Sequence, residues 1–521
     1  MPAALATFAA LLLGAATVFS FSPFGASLLP ALTLAGLFAL WQRASSPGRA
    51  FALGLAFGLG LFAAGVSWVY VALNTFGDMP ALLAALGTAV FCAYLALFPA
   101  LAGWITARIT ARITAPDSIA RLMVAAAAWT LSEWLRGWLF SGFGWLSVGY
   151  TQVATPLAGY APIGGVLLPG LFLALTAAVL ADAVTGVDAH GRRLLASAVA
   201  VAIVWASGYA LTRVDWSHPV GEPATVSLLQ GNIGQELKFE PSYREKTFAI
   251  YADLVAKSRG RLIVLPESAL PVFADEVPPE YVALLRSAAQ HNGGDLLFGL
   301  FFFEPRTSVD EDDRYYNSVV TVGTATPQVY RKHHLVPFGE TIPLKPVFGW
   351  FIRNVLAIPL ADQTPGAAYQ EPFVVAGQRL AVNICYEDAF GSELARRAAD
   401  ATLLVNVTND AWYGHSLAAE QHDQIATMRA LETARPMLRA TNTGITSIID
   451  HHGVEISRLP WFTRGVLEGT IAGRQGVTPY VRFGDALVVA LALLTIATTL
   501  LLTRRSQKKS LARFGRDAGI Q

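Results

Sequence analysis

The chain has 521 residues, 54% of them hydrophobic and only 14% charged, with a net charge of +1 and a mean hydropathy of +0.45. Average soluble chains carry roughly 25% charged residues, so a wholly water-soluble globule and a disordered chain are both excluded. The near-zero charge balance gives no argument for a nucleic-acid partner.

Charge is unevenly spread. Residues 1–213 hold nine Arg, no Lys and five acids, and the remaining charges all follow. A hydrocarbon layer of about 30 Å needs roughly 20 apolar residues in helix. Runs near 4–22, 25–42, 51–73, 80–105, 119–138, 162–182, 194–212 and 485–503 predict eight spans, seven before a polar region and one after it. The first run lacks a basic leader and is read as a retained span. Basic residues in short loops orient such a bundle. Arg43 and Arg49, then Arg108, Arg112 and Arg121, then Arg192 and Arg193, and the tail after residue 503 all fall on one side. The alternate loops near 21–24, 74–79 and 139–161 contain Asp78 as their only charge. Both termini are therefore expected in the cytoplasm, with the polar region outside.

Within the spans, Gly54, Gly58, Gly60 and Gly65 allow close helix approach. Glu133 and Arg136 are charges inside a span, three apart on one helical face, and are expected to pair or to serve function. The aromatic stretch from Trp134 through Trp138, Phe140, Phe143, Trp145 and Tyr150 reads as an interfacial belt or a lipid-headgroup site. The domain expectation is a seven-helix membrane domain over 1–213, a polar domain over 214–484, an eighth helix over 485–503 and a basic tail over 504–521.

The polar domain alternates predicted strands (225–230, 261–265, 295–302, 317–322, 380–385, 402–407) with predicted helices (243–258, 279–292, 393–399, 418–433), an α/β order. Three strand ends stand out, because α/β folds place chemistry there. Leu265-Pro-Glu-Ser offers Glu267. The run from Tyr330 to Glu340 offers Lys332 and Glu340. Asn383-Ile-Cys-Tyr-Glu offers Cys385, followed by Tyr386 and Glu387. With only Cys92 and Cys385 present, no disulfide framework or cysteine-rich zinc site can be built. A thiol at a strand end is held rigidly. A carboxylate can take its proton, and an ammonium can favour the thiolate and steady an oxyanion. Taken singly, each residue has an ordinary structural explanation, and spacing does not show that the three meet. The nine histidines show no metal spacing; His415 and His422 read as surface or helix residues. The apolar stretch 347–360, with Trp350, reads as an arm dipping into the membrane interface. Trp412 and Tyr413 are candidates for an acyl cleft.

Together the three strand ends resemble the Glu-Lys-Cys signature of the nitrilase superfamily. Eight spans around an outward domain narrow the likeness to the apolipoprotein N-acyltransferase family. The blocks that carry it are Glu133-Trp-Leu-Arg-Gly-Trp-Leu-Phe-Ser-Gly-Phe, Gln230-Gly-Asn-Ile, Leu265-Pro-Glu-Ser, His334-Leu-Val-Pro-Phe-Gly-Glu, Cys385-Tyr-Glu and Asn406-Val-Thr-Asn-Asp-Ala-Trp. Gly144 stands where the family usually has Pro, and Phe239 where Trp is common in a lid-like stretch. The resemblance implies a multi-pass helical membrane domain plus an αββα nitrilase-like sandwich on the periplasmic face of a bacterial inner membrane. It also implies acyl transfer from a phospholipid, through a thioester on Cys385, to the N-terminal amine of a diacylated apolipoprotein. In that scheme Glu267 is base, Lys332 stabilises the oxyanion, Glu340 orients Lys332 or the amine, and Tyr386 and Glu387 line the pocket. Phe239, Trp350 and Trp412 are accessory. Neither metal nor diffusible cofactor is implied, and a monomer is expected. The competing readings are a tethered amidase, in which water attacks the thioester, and a transporter with an outer domain. The scarcity of ionisable residues and the absence of paired broken helices speak against the transporter.

Overall fold

The computed structural model describes residues 2–113, 119–185, 191–306, 313–342 and 362–517. The chain forms two compact units. One comprises residues 1–67, 86–214 and 485–521, the other residues 68–85 and 215–484.

The first unit is helical: α1 (Ala3–Thr17), α2 (Leu29–Gln42), α3 (Pro47–Gly65), α4 (Ala81–Thr110), α5 (Ile119–Arg136), α6 (Leu167–Thr185), α7 (Gly191–Leu211) and a C-terminal helix Ala486–Asp517. Most of α4 belongs here; its first residues count with the second unit. Helices thus occupy all eight expected places, yet six of the described helices are long and apolar enough to cross a membrane. The other two fall short for different reasons. The 14 residues of α2 reach about 21 Å at 1.5 Å per residue, and α5 carries Arg121, Glu133 and Arg136. Helix α3 starts where Ser46 accepts from the Arg49 N–H (3.2 Å) and Pro47 supplies a pre-set φ. It ends at Gly65 rather than near 73 as the hydropathy suggested, and Trp68–Ala85 joins the second unit. Its glycines do pack closely. A Cβ on Gly60 would lie 2.0 Å from the Leu11 carbonyl of α1, and one on Gly54 2.4 Å from the Pro99 carbonyl of α4.

Glu133 and Arg136 pin a loop. The Glu133 carboxylate accepts from the Val148 N–H (2.9 Å), while Arg136 donates to the Phe143 carbonyl (2.6 Å) and Ser147 hydroxyl (3.0 Å). These charges are thereby spent on the 143–148 backbone, which needs partners inside an apolar unit. The aromatic stretch divides accordingly: Trp138 and Phe140 are exposed, but Trp145 and Tyr150 are core rather than belt.

The second unit contains fourteen strands among its described residues. One six-stranded sheet runs β13-β2-β3-β4-β5-β6, with β2 (Ala224–Gln230), β3 (Leu262–Val264), β4 (Asp295–Glu304), β5 (Arg314–Gly323), β6 (Val329–Arg331) and β13 (Gly465–Ile471). The other runs β7-β8-β9-β10-β11-β12, with β7 (Phe373–Val375), β8 (Gln378–Ile384), β9 (Leu403–Thr408), β10 (Met437–Thr441), β11 (Ser447–Ile449) and β12 (Glu455–Arg458). A short pair, β1 (His218–Pro219) with β14 (Arg474–Gln475), stands apart. In both sheets the central pairs are parallel and the flanking ones antiparallel.

Helices α8 (Arg244–Lys257) and α9 (Pro279–His291) cover the first sheet, packing Leu254 and Leu285 against Ile263 and Leu296. Helices α10 (Gly391–Ala398) and α11 (Ala418–Thr433) cover the second, packing Leu394 and Ala430 against Leu404 and Met437. The sheets face each other; the Ala376 N–H, for example, donates to Asp295 of β4 (2.7 Å). The result is four layers, helix–sheet–sheet–helix. The parallel strands β3 and β9 are buried along their whole length, as strands covered on both faces must be. Each buried aliphatic side chain contributes roughly 1.5–3 kcal/mol, so the loops leaving these strands start from a rigid base.

Candidate active site

Glu267 is the third residue after β3. Its loop is tight: Ser268 takes a left-handed φ of 47°, and Leu270 donates back to the Gly299 carbonyl of β4 (3.1 Å). Gly299 is needed there, since a Cβ would lie 2.4 Å from the Ser268 nitrogen. The Glu267 carboxylate accepts from the Asn317 amide (2.7 Å) and from Lys332 (3.4 Å). Lys332 directly follows β6, is 1% exposed, and gives its strongest bond to Glu340 (2.7 Å). Glu340 is held in turn by the Val336 N–H (2.9 Å). Burial pulls the Lys332 ammonium down, but Glu340 and Glu267 outweigh it and hold the group well above its ordinary value.

Cys385 is the residue after β8, in a left-handed conformation with φ 53°. Such a φ is costly for a side chain other than glycine and is kept only where neighbours enforce it. Here the Cys385 carbonyl accepts from the Asn406 amide (3.1 Å). Burial first, then the negative charges of Glu267 and Asp410, push the thiol well above its ordinary value, while Lys332 pulls the other way. The resting group is a thiol. Glu267, Lys332 and Cys385 thus sit within electrostatic reach of one another, all nearly buried.

The other expected residues separate. Glu387 is buried and its oxygens are taken: they accept from the Ile384 N–H (2.7 Å), the His333 N–H (2.8 Å), the His334 N–H (3.2 Å) and the Tyr330 hydroxyl (2.9 Å). It ties the segment carrying Lys332 to the segment carrying Cys385 rather than presenting oxygens to a pocket. Tyr386 packs edge-on against Phe390 and His334. Trp412 is partly exposed and meets Phe76, while Tyr413 meets Trp68. Phe239 is half exposed, 6.3 Å from the Phe301 ring. Trp350 and the stretch 347–360 lie outside the described residues.

Three features escaped the sequence reading. Lys238, only 3% exposed, donates to the Glu267 main-chain carbonyl (3.0 Å). Asn317 bonds Glu267 from β5. His422 is on a helix as expected but fully buried, among Asp388, Asp410 and Arg439. The signal for His422 was in α11 itself: the run Glu420-Gln421-His422-Asp423-Gln424 offers polar side chains all round a helix, which a covering helix has no reason to bury without partners. Asp215, His451 and His452 bring a carboxylate and two imidazoles within 4.8 Å of one another. The Arg474 guanidinium lies 3.7 Å from that carboxylate, so a fixed cation is already there.

The match to known proteins spans both units. Residues 13–179 match the apolipoprotein N-acyltransferase N-terminal domain, and residues 225–480 the carbon–nitrogen hydrolase domain. An apolipoprotein N-acyltransferase of Nitrosomonas europaea is 50% identical over 504 residues, 96% of this chain and 98% of the relative. The chain belongs to the apolipoprotein N-acyltransferase family. Further members from Methylococcus capsulatus (46% identical, 90% of each chain) and Chromobacterium violaceum (44%, covering 96% and 94%) agree. It is an acyltransferase of lipoprotein biosynthesis, membrane-associated, with a carbon–nitrogen hydrolase catalytic domain.

Proposed function

We propose that the chain moves an acyl group from a membrane phospholipid, through a thioester on Cys385, to the α-amine of the diacylglyceryl cysteine that begins an apolipoprotein. The observation that carries this reading is one ammonium, Lys332, bonded to two carboxylates beside a buried thiol. Because the thiol is protonated at rest, its attack needs a base in place, and Glu267 supplies one. Glu267 takes the thiol proton as sulfur bonds to the ester carbonyl carbon; Lys332 steadies the oxyanion. The carbon–oxygen ester bond then breaks, the proton passes from Glu267 to the glycerol oxygen, and a lysophospholipid leaves. The amine attacks the thioester carbonyl carbon and gives its proton to Glu267; the carbon–sulfur bond breaks, and the departing sulfur takes that proton back as the thiol. The acyl donor is a phospholipid, with the sn-1 ester of phosphatidylethanolamine as the donor bond.

The same reading places the catalytic unit on the periplasmic face of a bacterial inner membrane, with eight spans, cytoplasmic termini and a monomeric chain. A buried site favours transfer to an amine over hydrolysis, because water competes for the thioester. Incubation with acyl-labelled phosphatidylethanolamine and a diacylated lipopeptide tests it. N-acylated peptide and lysophospholipid are expected in equal amounts, with an acyl adduct on Cys385 visible by intact mass when peptide is withheld. Free fatty acid without N-acylated peptide would leave an amidase instead.

A further inference from the structure

Beneath the nucleophile lies a set of buried charges that the mechanism above leaves unused. His422 of α11 is 1% exposed. Its Nδ1 lies 2.8 Å from Asp410, and its Nε2 lies 2.9 Å from Asp388 and 3.3 Å from the Cys385 carbonyl. Arg439 of β10 reaches the same two aspartates, Asp388 at 3.3 Å and Asp410 at 3.0 Å, and donates to Asn406 (2.7 Å). Asn406 is the residue whose amide holds the Cys385 carbonyl from the other side. Asp423, 3.9 Å from the Arg439 Nε, is held by Ser447 (2.7 Å).

Two donors therefore converge on one carbonyl, and that carbonyl belongs to a residue in a left-handed conformation. Peptide geometry couples the carbonyl direction to ψ of Cys385, and hence to the start of the turn that aims the sulfur. Asp388 and Asp410 bring two buried negative charges against the single cation of Arg439, and a second cation at His422 balances the pair. Burial and Arg439 pull the imidazole down, but Asp388 and Asp410 outweigh them and raise it to about 9. It is thus charged at neutral pH, and both ring nitrogens donate.

Resting on the thioester reading above, we propose that His422 is a positioning residue for Cys385: bridged by Asp388 and Asp410, it clamps the Cys385 carbonyl and holds the thiol in its attacking conformation. An ordinary core ion cluster would hold the fold together without touching the nucleophile's main chain; this one bonds it twice, through His422 and through Asn406.

The test uses the full-length protein with phosphatidylethanolamine and a diacylated lipopeptide. His422→Gln keeps a donor but loses the charge, and His422→Gln with Asp388→Asn removes one charge of each sign. Acylation per folded molecule is expected to fall about 10- to 100-fold in His422→Gln, the scale of one hydrogen bond to a charged group, with the donor KM within about two-fold. Alkylation of the Cys385 thiol by iodoacetamide, read on its peptide, is expected to change in parallel. Should His422→Gln fail to fold, the charge-balanced double variant carries the test; it is expected to fold and to stay slow. Wild-type acylation in either variant would overturn the proposal, as would loss of folded protein in both with no folded slow species. Cys385→Ala run alongside separates the two levels. Persistent N-acylation in Cys385→Ala would remove the thioester reading itself, whereas an inactive Cys385→Ala beside a normal His422→Gln would remove only the clamp.

Discussion

Lys238 shows what a site can cost at the level of one side chain. It closes the short helix Gln235–Lys238, lies 3% exposed, and holds the main-chain carbonyl of Glu267. Burial lowers its ammonium to about 8, with Glu267 and Cys385 offsetting only part of that. An unfolded lysine keeps its ordinary value near 10.4. As pH falls through the window between those values, the unfolded chain takes the proton first, so stability declines; below about 8 the loss is complete and constant. Lys238→Met should therefore be more stable at pH 7, the relieved burial exceeding the lost bond to the Glu267 carbonyl, seen as a raised thermal midpoint. It should also acylate more slowly, because the loop that presents Glu267 loses its donor. A variant both less stable and slower would show that the ammonium is a net structural support. Glu267→Gln belongs at the same scale. It should suppress thioester formation and aminolysis together, by about 10²–10⁴-fold in single-turnover assays; a loss confined to the second step would move the base elsewhere.

At the level of elements, the site is a junction between two strand ends from opposite sheets. Glu387 makes the junction, bonding the last residue of β8 and the backbone after β6 at once. Glu387→Gln turns one acceptor oxygen into a donor facing donors. That should cost about 1–3 kcal/mol for the buried group left unmatched and misplace Lys332 relative to Cys385. Activity per folded molecule should fall more steeply than the unfolding midpoint, and equal falls would reduce Glu387 to a stabiliser. Much of this was legible beforehand. Apolar runs marked β2, β3, β4, β5, β8 and β9, the first four of them ended by Gly or Pro, and α11 was expected at its observed bounds. The three strand-end residues were visible because Pro266 and the Asn383-Ile-Cys run interrupt apolar strands. β1, β6, β7 and β10 to β14 were not anticipated, and short strands such as β11 and β12 give little period-2 signal. The inward turn of Glu387 was hidden for another reason: a carboxylate that caps neighbouring N–H groups looks in sequence like one that faces a ligand. Lys238 owes its surroundings to a residue 29 positions away, and His422 to residues 12 and 34 positions away, which spacing does not encode.

For the whole molecule, α2 and α5 set how many helices cross the bilayer, and α2 is the shorter. At 14 residues it reaches about 21 Å against a hydrocarbon layer of about 30 Å. Yet its flanks differ in the manner of a crossing helix. Arg43 and Arg49 follow it, whereas the 21–28 segment before it is uncharged and exposes Phe24 and Leu28. Tilt or local thinning lets a short helix cross at modest cost, and the positive-inside bias assigns the Arg43 side to the cytoplasm. Single cysteines at Ala26, Ser45 and Val454, in a chain lacking Cys92 and Cys385, convert this into accessibility. In spheroplasts a membrane-impermeant maleimide should label Ala26→Cys and Val454→Cys, and should label Ser45→Cys only after the membrane is opened. Labelling of Ala26→Cys and Ser45→Cys from one side would make α2 a non-crossing helix and reverse the orientation of every span after it. Protection of Val454→Cys would place the catalytic unit in the cytoplasm. It would then be on the wrong side to meet an apolipoprotein displayed on the outer leaflet, whatever the chemistry of Cys385.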